Sequence, residues 1–440
     1  MTPARADLVA LDKRRVWHPY TEMSSYIAET DPLVVARAEG PRLFDVDGKS
    51  YLDANSSWWA ALLGHNHPRL VAALVRQSAD LCHCALAGIT HPQAALLADE
   101  ICRIAPRGLE RVFFSDNGST SVEVAMKLAV QFAKQNGAPR RHRFVALEGA
   151  FHGETLGATS LGGVELFRRP FSDIVVDCVH VAPPTEPDAY ERAFADLERA
   201  LRGASDEIAA VVLEPRVQGA AGMRVYAAEY LRHARTLCDR YEVPLVFDEV
   251  FSGYGRTGTM WACESAGVSP DLLCIAKGFS GGMLPMAATL VTQRIFDGFL
   301  GDPSRAFYYG HTYCGNALGA AIAREVLRVY EDEQILERAK PKSRAIAAAF
   351  QSLTALPHIA RARSIGMIGA VDLEVPDAEA GYLARAGWRV YEAARRRGVY
   401  LRPLGSTIYV APPLNIPDAD LGDLLGKVRE AIEEVVVSGF

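Results

Sequence analysis

The chain has 440 residues, 49% of them apolar, enough for a large core and, by length, for two or three domains or one big α/β unit with an appendage. A formal net charge of −6 without a polybasic run argues against nucleic acid and anionic membranes as partners. The opening "MTPARADLVALDKRR" lacks the apolar core of a secretory signal, no stretch has membrane-spanning length, and eight cysteines without a CxxC suit reduced thiols in a cytoplasm.

No internal repeat or low-complexity linker interrupts the chain. "RLFDVDGKSYLDA" places two short alternating segments around Asp47-Gly48, which predicts a β-hairpin. From about residue 90, helical patterns such as "PQAALLADEICRIA" alternate with the brief β-rich runs "RVFFS", "RFVALE", "IAAVVLEP", "VPLVFDE" and "DLLCIAKG". Short apolar strands separated by helices predict βαβ units and a mostly parallel sheet buried on both faces. After about residue 330 the pattern becomes α+β: a long helix-forming stretch, "GVYLRPLGSTIYVAPPL" as two strands, then a helix opening near Asp418. The expected organisation is a large α/β domain over 61–330 and a smaller α+β domain assembled from 1–60 and 331–440.

In such a sheet, functional groups gather at the C-terminal ends of strands. "RVFFSDNGSTSVEVAMKLAV" (111–130) reads as strand, tight turn and helix, with Thr120 and Glu123 at capping-box spacing. Asn117, Gly118 and Ser119 then lie at a helix N-terminus, where free N–H groups attract an anion. The stretch is neither a Walker loop nor a GxGxxG fingerprint, which counts against ATP and dinucleotides. "VPLVFDEVFSGYGRTG" (243–258) is an apolar strand ending in two carboxylates. Alternation sends Asp248 and Glu249 to opposite faces, with Val250 on the side of Asp248. Lys277 closes the next apolar run, in "LLCIAKGFSGG" (272–282).

Taken singly, each motif has a plain structural reading: a strand-to-helix turn, a buried cap or ion pair, a lysine snorkelling to water. Together they offer an anion cradle, a carboxylate and an amine at neighbouring strand ends. Pyridoxal 5'-phosphate needs all three: a helix tip for its phosphate, an acid for its ring nitrogen and a lysine for its aldehyde. A nicotinamide dehydrogenase is disfavoured by the missing GxGxxG, and a non-catalytic binding protein leaves Lys277 without a purpose.

"VFDEVFSGYGRTG", "IAKGFSGG", "FFSDNGSTSVEVAMK", "GAFHGET" and "YYGHTYCGNALG", in this order over nearly the whole chain, resemble the class III aminotransferases of the pyridoxal-phosphate fold-type I group. The resemblance implies Lys277 as the cofactor-binding catalytic lysine and Asp248 on the pyridine nitrogen. It implies Gly118 and Ser119 around the phosphate, Val250 on one ring face and Phe151 on the other. The loop Gly310, His311 and Thr312 is implied to reach the phosphate of a neighbouring subunit, hence a homodimer with shared active sites.

"WHPYTEM" (17–23), "SSWWAALLGHNHP" (56–68) and "LRPLGSTIYVAPP" (401–413) are similar to the branch of that family that aminates 8-amino-7-oxononanoate in biotin synthesis. This implies Tyr20 and Trp58 as substrate-recognition residues and Arg402 as the clamp on the keto-acid carboxylate. An apolar aromatic wall and a bidentate guanidinium suit a long aliphatic acid. At least one of Trp58 and Trp59 is expected in the core. Members using S-adenosylmethionine usually carry tyrosine at Phe151 and often Gly-Pro-Thr in place of Gly-His-Thr. S-adenosylmethionine is the favoured donor, with lysine, or another ω-amino acid reaction of the class, as alternatives. "GHNHP" and "CHC" lack a second ligand pair at zinc spacing, so no metal is expected. His152 is expected as a satisfied polar group near the cofactor, and Glu214 and Arg256 as an ion pair beneath the site.

Overall fold

The computed structural model describes residues 4–185, 189–374 and 385–438. Near the N-terminus, β1 (Val35–Glu39), β2 (Arg42–Asp45) and β3 (Ser50–Asp53) form an antiparallel meander, the last two joined by the expected Asp47-Gly48 turn. The central strands are β4 (Leu109–Ser115), β5 (Arg143–Leu147), β6 (Cys178–Val181) and β7 (Ile208–Leu213). A small ribbon, β8 (Val217–Gln218) with β9 (Arg224–Val225), precedes β10 (Leu245–Asp248), β11 (Leu272–Ile275) and β12 (Ala287–Thr292). The C-terminal part supplies β13 (Ile359–Ile365), β14 (Ile368–Leu373), β15 (Val399–Tyr400) and β16 (Thr407–Val410).

The large sheet has the order β4-β12-β11-β10-β7-β5-β6. Every residue of β7, β10 and β11 is buried, as strands covered by helices on both faces require. The five expected strands all form; β6 and β12 were not anticipated. β12 runs antiparallel between β11 and β4, so β4 still points the same way as β10 and β11. The carboxyl ends of β4, β10 and β11 therefore share one edge, although β12 separates the first from the other two.

The helix Gly118–Gln135 starts at the expected Asn117-Gly118-Ser119 tip, but its capping box joins Asn117 to Thr120 rather than Thr120 to Glu123. Asn117 Oδ1 accepts from Thr120 N at 3.0 Å while Thr120 Oγ1 accepts from Asn117 N at 3.0 Å. Glu123 instead accepts from Gly157 N at 2.7 Å and Ala158 N at 3.3 Å, satisfying the free first turn of helix Leu156–Leu161.

The two strands of "GVYLRPLGSTIYVAPPL" join different sheets. β15 lies parallel to β3, with Val399 opposite Leu52, and completes the N-terminal meander. β16 pairs with β14. One contiguous apolar core runs through Leu213 and Ile275 of the large sheet, Leu52 of β3, Val399 of β15 and Leu424 of helix Asp418–Ser438. Among the described residues no helix is long and apolar enough to cross a membrane.

Just after β3 the chain makes an unusual turn. Ser56, Ser57, Trp58 and Trp59 have φ of 48°, 43°, 63° and 72°. A left-handed conformation costs a non-glycine residue roughly 1–2 kcal/mol, so the turn must be held from outside. It sends Trp59 inward at 4% exposure and leaves Trp58 41% exposed, as expected of one core and one surface tryptophan.

Candidate active site

The shared edge of β4, β10 and β11 opens into a cavity of about 700 Å³. Gly118, Ser119, Phe151, Asp248, Val250 and Lys277 all line it, so the acid, the amine and the helix tip face one compartment. Asp248 ends β10, and its side chain is fixed from two sides. Oδ1 accepts from Val250 N at 3.0 Å, and Oδ2 lies 2.8 Å from Nδ1 of the buried His152. Burial pulls the His152 pKa down, but the hydrogen bond and charge of Asp248 outweigh it and leave it raised. The imidazole therefore donates to the carboxylate. Among the described residues His152 Nε2 is buried without a partner.

Lys277 follows β11 in a left-handed conformation, with φ of 47°. Its Nζ lies 4.6 Å from the ring centre of Trp59 and 5.9 Å from that of Phe251. Among the described residues it has no hydrogen bond or ion pair. Burial lowers its pKa to about 8 against the opposing charges of Asp248 and Glu214. A lysine with a sizeable neutral fraction near neutrality is a nucleophile and proton carrier.

The helix tip approaches Val250 so closely that position 118 admits only glycine without displacement: a Cβ there would sit 2.7 Å from Val250 Cγ1. The floor of the cavity corrects one expectation. Glu214 and Arg256 do not pair; backbone N–H groups hold Glu214, and Arg256 turns to a backbone carbonyl and a serine hydroxyl. Glu214 accepts from Phe151 N at 3.0 Å and Gly219 N at 2.9 Å, and burial pushes its pKa up to about 7. The fully buried Arg256 donates to Pro412 O at 2.7 Å and Ser56 Oγ at 3.4 Å, and burial lowers it to about 10. Glu249 points away from the cavity, as alternation requires, and accepts from Ala262 N and Cys263 N, each at 2.9 Å.

These donors fit pyridoxal phosphate: an unpaired amine, an acid backed by a buried histidine, and a helix start whose cradle a single Cβ would fill. At the rim, the Tyr20 and Trp58 rings meet edge-on with centroids 5.3 Å apart; Arg402 does not itself line the cavity, but its guanidinium sits 5.4 Å from the Trp58 ring. Arg402 donates to Tyr20 O at 3.1 Å and has no ion pair among the described residues. Gly310, His311 and Thr312 do not line this chain's own cavity. His311 only touches its edge, with Nδ1 2.8 Å from Asp116 and Nε2 2.9 Å from Tyr309 Oη. Asp116, His311 and Cys314 place three possible metal-ligating atoms within 4.8 Å, but Cys314 already accepts from His311 N and Asp116 already meets the ring.

Three lining residues were not singled out from the sequence. Glu154 accepts from Tyr20 Oη at 2.6 Å; Phe167 meets the edges of both Tyr20 and Phe151; Trp59 underlies Lys277. Glu154 sits within the quoted "GAFHGET", two positions past the histidine that holds Asp248, the one local signal by which it could have been found.

Comparison with known proteins agrees with this geometry. The profile of the family described as Aminotransferase class-III matches residues 25–432. A curated adenosylmethionine-8-amino-7-oxononanoate aminotransferase from Nitratidesulfovibrio vulgaris is 43% identical, over 99% of this chain and 83% of its own. The crystal structure of the enzyme of that name from Methanocaldococcus jannaschii superposes with a TM-score of 0.93 at 36% identity, covering 98% of this chain and 99% of that one. An amine transaminase from an uncultivated Pseudomonas species, solved in its PLP-bound form, gives 0.89 at 32% identity, covering 97% and 99%. A match of this length, over a cavity that joins Lys277, Asp248 and the Gly118 helix tip, leaves one assignment: the chain belongs to the class III aminotransferases.

Proposed function

We propose that this chain transfers an amino group from S-adenosylmethionine to 8-amino-7-oxononanoate, giving 7,8-diaminononanoate, as a cytoplasmic homodimer using pyridoxal 5'-phosphate. The observation that carries the substrate assignment is the rim: Tyr20 and Trp58 form an aromatic wall, and Arg402 stands beside it without an ionic partner among the described residues. A flexible apolar chain ending in a carboxylate fits that combination, since the guanidinium fork binds the carboxylate and the rings exclude water from the methylenes. The similar enzymes named above support the same acceptor and donor.

When bound, pyridoxal phosphate supplies an electron sink that lets a C–H bond beside nitrogen ionise. Gly118 and Ser119, at the helix start, would hold its phosphate through their N–H groups. Asp248, aimed by its contacts with His152 Nδ1 and Val250 N, would face the ring nitrogen. Val250 and Phe151, which both line the cavity, would hold the ring. Lys277 Nζ, which lines the cavity without a hydrogen bond or ion pair among the described residues, would be the amine that holds the cofactor, and once freed it could take up and return a proton. Its pKa of about 8 leaves it able both to take and to give that proton. Placing Gly310, His311 and Thr312 on the phosphate of a neighbouring subunit is supported by their absence from this chain's cavity.

The test is a half-reaction. Enzyme loaded with pyridoxal phosphate is mixed with S-adenosylmethionine or with lysine, and the conversion of cofactor to its amine form is followed by absorbance. Conversion by S-adenosylmethionine, reversed by 8-amino-7-oxononanoate, is expected. Turnover with lysine alone replaces the donor, and turnover confined to pyruvate removes the acceptor.

A further inference from the structure

The left-handed turn Ser56–Trp59 shapes the substrate wall; Ser56 Oγ ties it to Ala411 O at 2.7 Å, and the contacts that hold Ser57, next to Trp58, converge on one side chain. Asp53, at the end of β3, is 1% exposed. Its Oδ1 accepts from Asn55 N at 3.1 Å. Its Oδ2 accepts from Ser57 N at 2.7 Å and Ser57 Oγ at 2.8 Å, and lies 2.9 Å from His65 Nε2. His65 is anchored in turn by paired backbone hydrogen bonds with Gly40, at 2.7 and 3.0 Å. The same segment reaches the clamp residue, because Asn55 Oδ1 accepts from Arg402 N at 2.6 Å. Trp59 has its own supports, donating to Tyr409 Oη at 3.1 Å and packing on Phe251. Trp58 has none beyond the rim itself.

We infer that Asp53, with His65 behind it, is a positioning residue for the substrate wall: it holds the backbone that aims Trp58 at Tyr20 and Arg402 without touching the substrate. This rests on the keto-acid reading proposed above. The carboxylate suits the task because it accepts only. Four donors meet its two oxygens, whereas an asparagine offers one oxygen and turns an N–H₂ toward the remaining donors.

The experiment compares Asp53→Asn, Trp58→Ala and the double variant in steady-state kinetics with 8-amino-7-oxononanoate, together with a crystal structure of Asp53→Asn. The single variant is expected to raise KM for the keto acid about tenfold, the scale of one or two net hydrogen bonds, with kcat nearly unchanged. In the Trp58→Ala background the same change should add nothing, because the ring it positions is gone. Adding Ser57→Gly to Asp53→Asn should recover most of the affinity, since glycine takes the left-handed conformation without steric cost. His65→Leu, which removes one of the four donors, should give a smaller rise and serves if Asp53→Asn folds poorly. The crystal structure should show residues 56–59 out of the left-handed region and Trp58 turned from Tyr20. An unchanged KM, full additivity with Trp58→Ala, or an intact turn in the variant overturns the inference. If the wild-type enzyme ignores this keto acid, the functional reading fails, and the variant's crystal structure still decides the role of Asp53.

Discussion

Alanine at position 118 tests the helix-tip cradle directly. The added Cβ would lie 2.7 Å from Val250 Cγ1, 3.2 Å from Cγ2 and 3.5 Å from Cβ. Carbon atoms in contact sit about 3.5–4.0 Å apart, so the loop or the valine must yield by roughly 1 Å. The backbone itself accepts alanine, and the helix gains at most about 1 kcal/mol in propensity. Overpacking of this kind costs about 1–3 kcal/mol, so crowding wins by about 1–2 kcal/mol. Because the crowded atoms belong to the cofactor cradle, the loss should appear in cofactor affinity, as a rise of about 5- to 30-fold in Kd. Absorbance titration of apoenzyme with pyridoxal phosphate measures it, alongside urea unfolding to separate affinity from stability. Val250→Ala removes both crowding methyls, so the double variant should bind more tightly than the two single effects predict, with a coupling of about 1 kcal/mol or more. Wild-type affinity and stability in Gly118→Ala, or strict additivity with Val250→Ala, would show that the close approach does not matter.

The depressed pKa of Lys277 means that its neutral form grows in through about pH 8, so the rate of cofactor uptake by apoenzyme should rise there rather than near the ordinary lysine value of 10.5. Asp248→Asn removes a charge that holds this pKa up, so the midpoint of the uptake profile should move to lower pH; a fixed midpoint refutes the electrostatic account. Arg402→Met should raise KM for the keto acid by about 10- to 150-fold, the value of a charge-assisted hydrogen bond, and Arg402→Lys should restore only part; a flat KM sinks the clamp. Burial raises the Glu249 pKa from 4.5 to about 7, so the folded state holds this proton more tightly. The resulting stability is fully present below pH 4.5 and fades as pH rises through about 7, so Glu249→Gln should gain relative to wild type between about pH 5 and about pH 8 in urea midpoints.

The reactive centre was legible because its parts sit where the chain changes character. Asp248 and Lys277 are charged residues closing wholly apolar runs, and Asn117-Gly118-Ser119 stands between a strand and an amphipathic helix. Such breaks in pattern are visible locally. The errors lie where one residue has several possible partners. Asn117, Thr120 and Glu123 all offer capping oxygens, and the spacing favoured the later pair; contact with helix Leu156–Leu161 drew Glu123 away. Glu214 and Arg256 are opposite charges near one site, yet each found backbone groups closer to hand. β12 was missed because "AATLVT" is short and weakly patterned, and its place is set by neighbours on both sides. The left-handed turn at the two tryptophans has no local signature, since it contains no glycine and depends on Asp53 and on strands from the far end of the chain.

That last dependence orders events during synthesis. Asn55 and Arg402 are separated by 347 positions, and β3 remains an open sheet edge until β15 arrives beside it. At ribosomal speeds of about 5–20 residues per second, the interval is roughly 20–70 s. Within it the strands from β4 to β12 have all emerged and can close the large sheet around Asp248 and Lys277. The nascent enzyme can therefore assemble its reactive centre well before it can discriminate a substrate, and the exposed edge of β3 is the place where a chaperone has most to protect.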